Sequence, residues 1–375
     1  MENTSVVAIE LNQNKITPVS PNNNRGCSKT AKILIVLNIL VVIITLVLVL
    51  LFSIIDIKKK KKYTHKIRHK IPIIFDVDEG GDDMVAYMIA NNSRKYNILG
   101  VTTVSSFYYV EEVGKIWLRF FEYMNFENKV YLGENHPLVK KTNKVPFQHH
   151  YGIEFPNTTK TYESENGIDW MYKTIKNYKE KVTLFLLGPL TNFAKVYQRD
   201  STIVNNIKEI SIMGGAKDEG NMGKDKITEW NVVCDAEAAN IVFNCGIKIK
   251  VIGQEVKMDY DNDIYDSYNI YQKLLDINTR SSLFAYYSGK GTLKVWNNSY
   301  VYDSITVLYQ LDNKIIEFKD YYTIVNTTNP NVNGTDYGTM YFFETNSSNK
   351  ANIQYRENFN LTRCYEVFFY YLKNY

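Results

Sequence analysis

The chain reads as an α/β protein: one domain with a mostly parallel central sheet flanked by helices, preceded by a single transmembrane helix. Three observations predict this. From Ile71 onward, short apolar runs alternate with amphipathic segments, the pattern of successive βαβ units. The stretch Asp76-Val77-Asp78-Glu79-Gly80-Gly81-Asp82-Asp83 lies between an apolar run and a helix-like run, as a strand, a tight turn and a helix start would. Ile33–Ile55, finally, carries no charged residue.

Residues 1–32 are polar and rich in Asn, Ser and Thr, which predicts a disordered tail. Residues 33–55 would span roughly 34 Å as a helix, enough for a bilayer core of about 30 Å. Asn38, Thr45 and Ser53 are tolerable in such a helix, and a cleaved signal has a shorter apolar core, so the segment is expected to be a retained anchor. Residues 56–70 read as a basic juxtamembrane linker. Lys58 to Lys62, Lys66, Arg68 and Lys70 favour the cytosolic side for this flank and the domain after it. Sequons at Asn91, Asn157, Asn297, Asn326, Asn333, Asn346 and Asn360 would instead suit a lumenal or extracellular face, so sidedness stays open.

Residues 71–375 form the domain. Ile71–Phe75, Ile98–Val104, Val182–Leu187, Ile207–Met213 and Ile247–Ile252 are expected as strands. Met84–Ala90, Val110–Tyr123, Trp170–Tyr178, Asn192–Tyr197 and Ala236–Phe243 are expected as helices. Residues 136–168 read as a loop carrying His149 and His150, and Thr339–Tyr375 as mixed pieces closing the same domain.

Composition narrows the function. With 375 residues, 45% hydrophobic and 22% charged, there is room for one large α/β domain or two smaller ones. The formal net charge of +4 comes from the N-terminal flanks; beyond residue 70 there are 32 basic and 37 acidic residues. The domain is mildly acidic and offers no basic surface for nucleic acid. The four cysteines lack zinc-site spacing and are too few for a disulfide scaffold.

The acidic stretch carries the chemistry. Its glycines permit a tight turn, and its carboxylates then converge at the carboxyl end of a strand, where open α/β sheets bind ligands. Such carboxylates need a cation or shared protons, which points to a hard, oxygen-liganded metal, Ca²⁺ or Mg²⁺. The competing reading is a solvated acidic turn capping a helix. An EF-hand is excluded, because Gly80 and Tyr87 fall at the fifth and twelfth loop positions. A strand ending in Asp-x-Asp also opens phosphoryl-transferring hydrolases of the haloacid dehalogenase type, but that pattern has Thr or Val where Gly80 stands.

Further segments stand out: Leu186-Leu187-Gly188-Pro189-Leu190-Thr191-Asn192, Met213-Gly214-Gly215, Gly220-Asn221, Glu229-Trp230-Asn231, Asp235-Ala236-Glu237-Ala238-Ala239, and Tyr302-Asp303 opening an apolar helix. Asp303 alone could be a simple N-cap. Taken in order with Asp76–Asp83 and Ile98–Val104, these segments resemble the inosine–uridine nucleoside hydrolase family over roughly residues 71–375. The family hallmark is D-x-D-P-G-x-D-D, matched here with Glu79 in place of proline.

The resemblance implies Ca²⁺-dependent hydrolysis of ribonucleosides to ribose and free base. Asp78, Asp83, Asp303 and the Leu187 carbonyl would hold the ion. Asp82, Asn221, Glu229, Asn231 and Asp303 would bind ribose hydroxyls, and Asp78 would be the general base for a metal-bound water. It also implies a homo-oligomer. Beyond Glu79, three site positions depart from the family: Tyr302 replaces a His, Phe107 an Asn and Lys257 a Thr. Tyr302, with a phenolic pKa near 10, or one of His149 and His150 would then serve the departing base. The alternative is a relative that binds ribosides or Ca²⁺ without turnover, and a third possibility is a structural or adhesive ectodomain.

Overall fold

Residues Lys29–Thr64 form one uninterrupted helix, α1. It is longer than the apolar run because residues 29–32 and 56–64 contain no Gly or Pro, so nothing stops the helix at residue 55. Lys32–Ile54 is long and apolar enough to cross a membrane. Its Thr45 and Ser53 hydroxyls donate to the carbonyls of Val41 and Val49, one turn back, so each satisfies itself within the helix.

A second unit begins at Arg68. The computed structural model describes residues 29–64, 69–140, 155–222, 227–256, 270–296, 301–331 and 336–373. His149, His150 and Lys257 lie outside the described residues. The unit runs β1 (Ile71–Val77), α2 (Gly81–Ser93), β2 (Tyr96–Thr103), α3 (Val110–Met124), β3 (Val130–Leu132), α4 (Gly167–Asn177), β4 (Val182–Leu186), α5 (Thr191–Arg199), β5 (Ile207–Met213), α6 (Trp230–Cys234), α7 (Ala236–Phe243) and β6 (Ile249–Ile252). It continues with α8 (Ile270–Ile277), α9 (Arg280–Trp296), α10 (Tyr302–Leu311), β7 (Ile316–Val325), β8 (Met340–Glu344), β9 (Ile353–Phe359) and α11 (Leu361–Leu372).

The strands form one nine-stranded sheet in the order β3-β2-β1-β4-β5-β6-β9-β7-β8. Pairing is parallel from β3 through to β9, while β7 is antiparallel to both β9 and β8. The sheet is thus mostly parallel, with an antiparallel margin that the apolar runs alone did not announce.

Strand periodicity splits the core in two. Ile73, Phe75 and Val77 of β1, Phe185 of β4 and Met213 of β5 join one cluster, with α2, α3, α10 and α11. Ile74, Leu184, Leu186, Ile210, Ile212 and Val251 point the other way, toward α4, α5 and α7. Both faces are covered, so the central strands are mostly apolar rather than alternating. The chain leaves β1 toward β2 on one side and later returns to β4 on the other. This divergence opens a crevice at the carboxyl ends of β1 and β4, the place where such sheets bind ligands.

Candidate active site

The turn after β1 is built around a missing side chain. A Cβ on Gly80 would lie 2.3 Å from Asp83 Oδ2, 2.7 Å from Asp82 Oδ1 and 3.3 Å from Asp78 Oδ1. Three carboxylates therefore face one point that only glycine leaves open. The turn is fixed from within: Gly80 N donates to Asp78 Oδ1 at 2.9 Å, and Asp78 N to Asp83 Oδ1 at 3.3 Å. From α3, the buried Trp117 Nε1 donates to the Asp78 carbonyl at 2.6 Å. Gly188 at the end of β4 is equally constrained, since a Cβ there would sit 3.2 Å from Asp78 Cβ. The Leu187–Gly188 backbone thus passes directly beside Asp78.

Asp303, in the first turn of α10, completes the group. Oxygens of Asp82, Asp83 and Asp303 lie within 4.8 Å of one another. The simple N-cap reading of Asp303 does not hold: Val301 occupies the cap position, without a side-chain cap bond. The Asp303 side chain is buried, and its Oδ1 has no hydrogen-bond partner among the described residues. An orphaned buried carboxylate oxygen beside two more carboxylates, all hard donors, fits a divalent cation of the Ca²⁺ or Mg²⁺ kind.

Two carboxylates of the acidic stretch serve the scaffold instead. Asp76 Oδ1 accepts from Thr102 Oγ1 at 2.5 Å and Asn192 Nδ2 at 2.7 Å, tying β1 to β2 and α5. Glu79, buried where the family has proline, accepts from Phe107 N at 2.9 Å. The stretch therefore divides its carboxylates between cleft and framework.

Burial, and then the negative charges of Asp303, Asp78 and Asp82, push Asp83 well above the usual carboxylate range. Asp303 is raised likewise by burial and by Asp82 and Asp78, and Asp82 reaches about 6 through burial and Asp78. Between the unfolded value near 4 and these raised values the metal-free fold binds more protons than the unfolded chain, so its stability falls as pH rises through that window. A cation must displace the same protons. Ca²⁺ affinity measured by calorimetry should therefore weaken, with proton release, as pH is lowered from about 8 to about 5.

Of the residues expected at the ribose end, Asn221, Glu229 and Asn231 lie around α6, while Asp82 and Asp303 belong to the acidic group. Glu229 caps that helix: Oε1 accepts from Asn231 N at 2.8 Å, and Oε2 from Gly215 N at 2.9 Å and Val232 N at 3.1 Å. Burial raises Glu229 to about 7 despite these donors. Asn231 Nδ2 donates to the Leu187 carbonyl at 2.7 Å, linking α6 to the end of β4. Asn221 Oδ1 accepts from Trp230 N at 3.0 Å. Phe107 stacks on Trp230 with centroids 4.0 Å apart and planes at 9°, and Trp230 Nε1 donates to Ser106 Oγ at 2.8 Å. The half-buried Tyr302 accepts from Gln254 Nε2 at 2.8 Å. Gln254 and its neighbour Glu255 carried no sequence signal, because they follow β6 singly and outside any acidic or glycine-rich cluster.

The fold has counterparts among known proteins. The family model of the inosine-uridine preferring nucleoside hydrolases matches residues 73–366. A pyrimidine-specific ribonucleoside hydrolase, RihB, of Escherichia coli O9:H4 is 29% identical over 191 residues, covering 50% of this chain and 60% of the relative. Uridine nucleosidase 1 of Arabidopsis thaliana is 31% identical over 188 residues, 48% and 55% of the two chains. The matched stretch thus spans little more than half the length of these relatives. Among solved structures, a purine-preferring ribonucleoside hydrolase from Gardnerella vaginalis superposes with a TM-score of 0.69 at 22% identity, covering 80% of this chain and 98% of that one. The inosine-uridine preferring nucleoside hydrolase from Bacillus anthracis gives 0.62 at 20% identity, with 81% and 100% covered. With the acidic crevice at the divergence of its sheet and a family match over most of its length, this chain belongs to the inosine-uridine preferring nucleoside hydrolase family.

Proposed function

We propose that this protein hydrolyses the N-glycosidic bond of ribonucleosides, releasing ribose and free base. One observation carries the reading: Asp303 returns from far along the chain to place its carboxylate against Asp82 and Asp83. Ca²⁺ would be held by Asp78, Asp83, Asp303 and the Leu187 carbonyl. When bound, it would supply the positive charge that acidifies a coordinated water.

Asp78 acts as general base and takes the proton of the attacking water. Asp82, Asn221, Glu229, Asn231 and Asp303 hold the ribose hydroxyls. Their oxygens also favour the positive charge that develops on the sugar as the bond to the base stretches. Asn231 has a second duty, because its bond to the Leu187 carbonyl orients the backbone of the metal end from the ribose end. Tyr302 serves the leaving base, and His149 or His150 is the alternative donor. The α1 helix is a retained membrane anchor in this reading, and the domain forms a homo-oligomer.

The full chain, purified in detergent with Ca²⁺, should release ribose from at least one purine, pyrimidine or nicotinamide riboside. Binding of these ribosides without release would reduce the protein to a riboside binder; neither binding nor release would leave only the fold.

A further inference from the structure

A chain of side-chain amides crosses the site, and its polarity follows from one unambiguous donor. The backbone N–H of Trp230 can only donate, so the Asn221 atom facing it at 3.0 Å is the carbonyl oxygen. Asn221 Nδ2 then donates to Gln254 Oε1 at 3.2 Å. That leaves Gln254 Nε2 as the group facing Tyr302, and it donates to the phenolic oxygen at 2.8 Å. The Tyr302 oxygen is thus an acceptor toward Gln254, and its own proton is turned to another side.

Gln254 is held firmly enough to impose this direction. Its backbone N donates to the Gly215 carbonyl at 2.9 Å. Next to it, Glu255 Oε1 accepts from the backbone N–H groups of Lys217 and Asp218 at 2.6 and 2.8 Å. Glu255 Oε2 accepts from the buried Tyr355 hydroxyl at 2.7 Å and pairs with Arg356 at 3.3 Å. The turn after β6 is therefore clamped to the loop after β5 on one side and to β9 on the other.

We propose that Gln254 is a positioning residue that keeps the Tyr302 hydroxyl as a hydrogen-bond donor for the departing nucleobase, with the direction of the relay set by Asn221 and Trp230. This rests on the hydrolase reading above. As the C1′–N bond breaks, its electron pair passes to the base and the phenolic proton follows it. Water forms the new C1′–O bond and gives its proton to Asp78, and solvent carries a proton from Asp78 back to the phenolate. A phenol is a weak acid near neutrality, so the direction of its proton matters more here than it would for an imidazole.

The test compares two leaving groups on full-chain protein with Ca²⁺: a natural nucleoside, whose base needs a proton, and 4-nitrophenyl β-ribofuranoside, whose phenolate leaves without one. The readout is the ratio of the two kcat/KM values. Gln254→Leu should lower this ratio about 10-fold and Tyr302→Phe about 100-fold, the range of general-acid contributions. The double variant should be no worse than Tyr302→Phe alone. Gln254→Glu, close in shape, would accept the phenolic proton instead and should lower the ratio at least as far as Gln254→Leu. Equal losses on both substrates, an unchanged ratio, or additive losses in the double variant would overturn the role of Gln254 while leaving the hydrolase reading in place. A wild-type protein that releases ribose from neither substrate would overturn both.

Discussion

Asp78→Asn should lower kcat for ribose release by about a thousand-fold or more, the upper part of what a general base working beside a metal contributes. The substitution is conservative in shape, and asparagine Oδ1 can still accept the Gly80 N–H that closes the turn. The Trp117 bond to the residue 78 carbonyl is likewise untouched, since it involves only backbone at that position. The fold should survive, with unchanged far-ultraviolet circular dichroism, so the loss can be assigned to the missing carboxylate. Single-turnover kinetics at saturating Ca²⁺ separate this from weakened metal binding. Activity within about tenfold of wild type under those conditions would remove Asp78 from the role of base.

Asp303→Asn should act with opposite signs on the two forms of the protein. In the metal-free fold, Asp303 is a buried carboxyl raised by burial and by Asp82 and Asp78, with an oxygen that has no hydrogen-bond partner among the described residues. Replacing it by a neutral amide relieves like-charge contact, and the chelator-treated variant should melt higher than wild type by about 2 °C for each kcal/mol relieved in a domain of this size. In Ca²⁺ the order reverses. Wild type gains stability from the ion, about 2.7 kcal/mol at a hundred times Kd, whereas the variant lacks a ligand and should gain little. Paired thermal scans with chelator and with Ca²⁺ check both signs. A variant that keeps the full Ca²⁺ shift would place the ion elsewhere.

The central sheet was legible because its strands are covered on both faces. β1 and β4 appear as mostly apolar runs, β5 regains its apolar pattern after Lys208 and Glu209 at its start, and the helices between them show their amphipathic stripes. The antiparallel margin was not legible for the opposite reason. In β7, Lys319 and Asp320 interrupt the apolar pattern, and along the chain β8 intervenes before its partner β9. At the site, the convergence of Asp78, Asp82 and Asp83 could be read from their crowding around Gly80. The scaffold duties of Asp76 and Glu79 could not, because these depend on Thr102, Asn192 and the Phe107 N–H, which only folding brings near. The stacking of Phe107 on Trp230 and the Gln254 relay were hidden likewise, each joining segments without local pattern.

The carboxylate pocket draws its parts from widely separated stretches of the unit, with Asp78, Asp82 and Asp83 around the turn after β1 and Asp303 in the first turn of α10. During synthesis the early half emerges from the ribosome with its acidic turn formed by local geometry, yet without the last wall of the crevice. The nascent protein is therefore obliged to carry an unfinished acidic concavity until α10 has cleared the exit tunnel, and the last carboxylate joins it late.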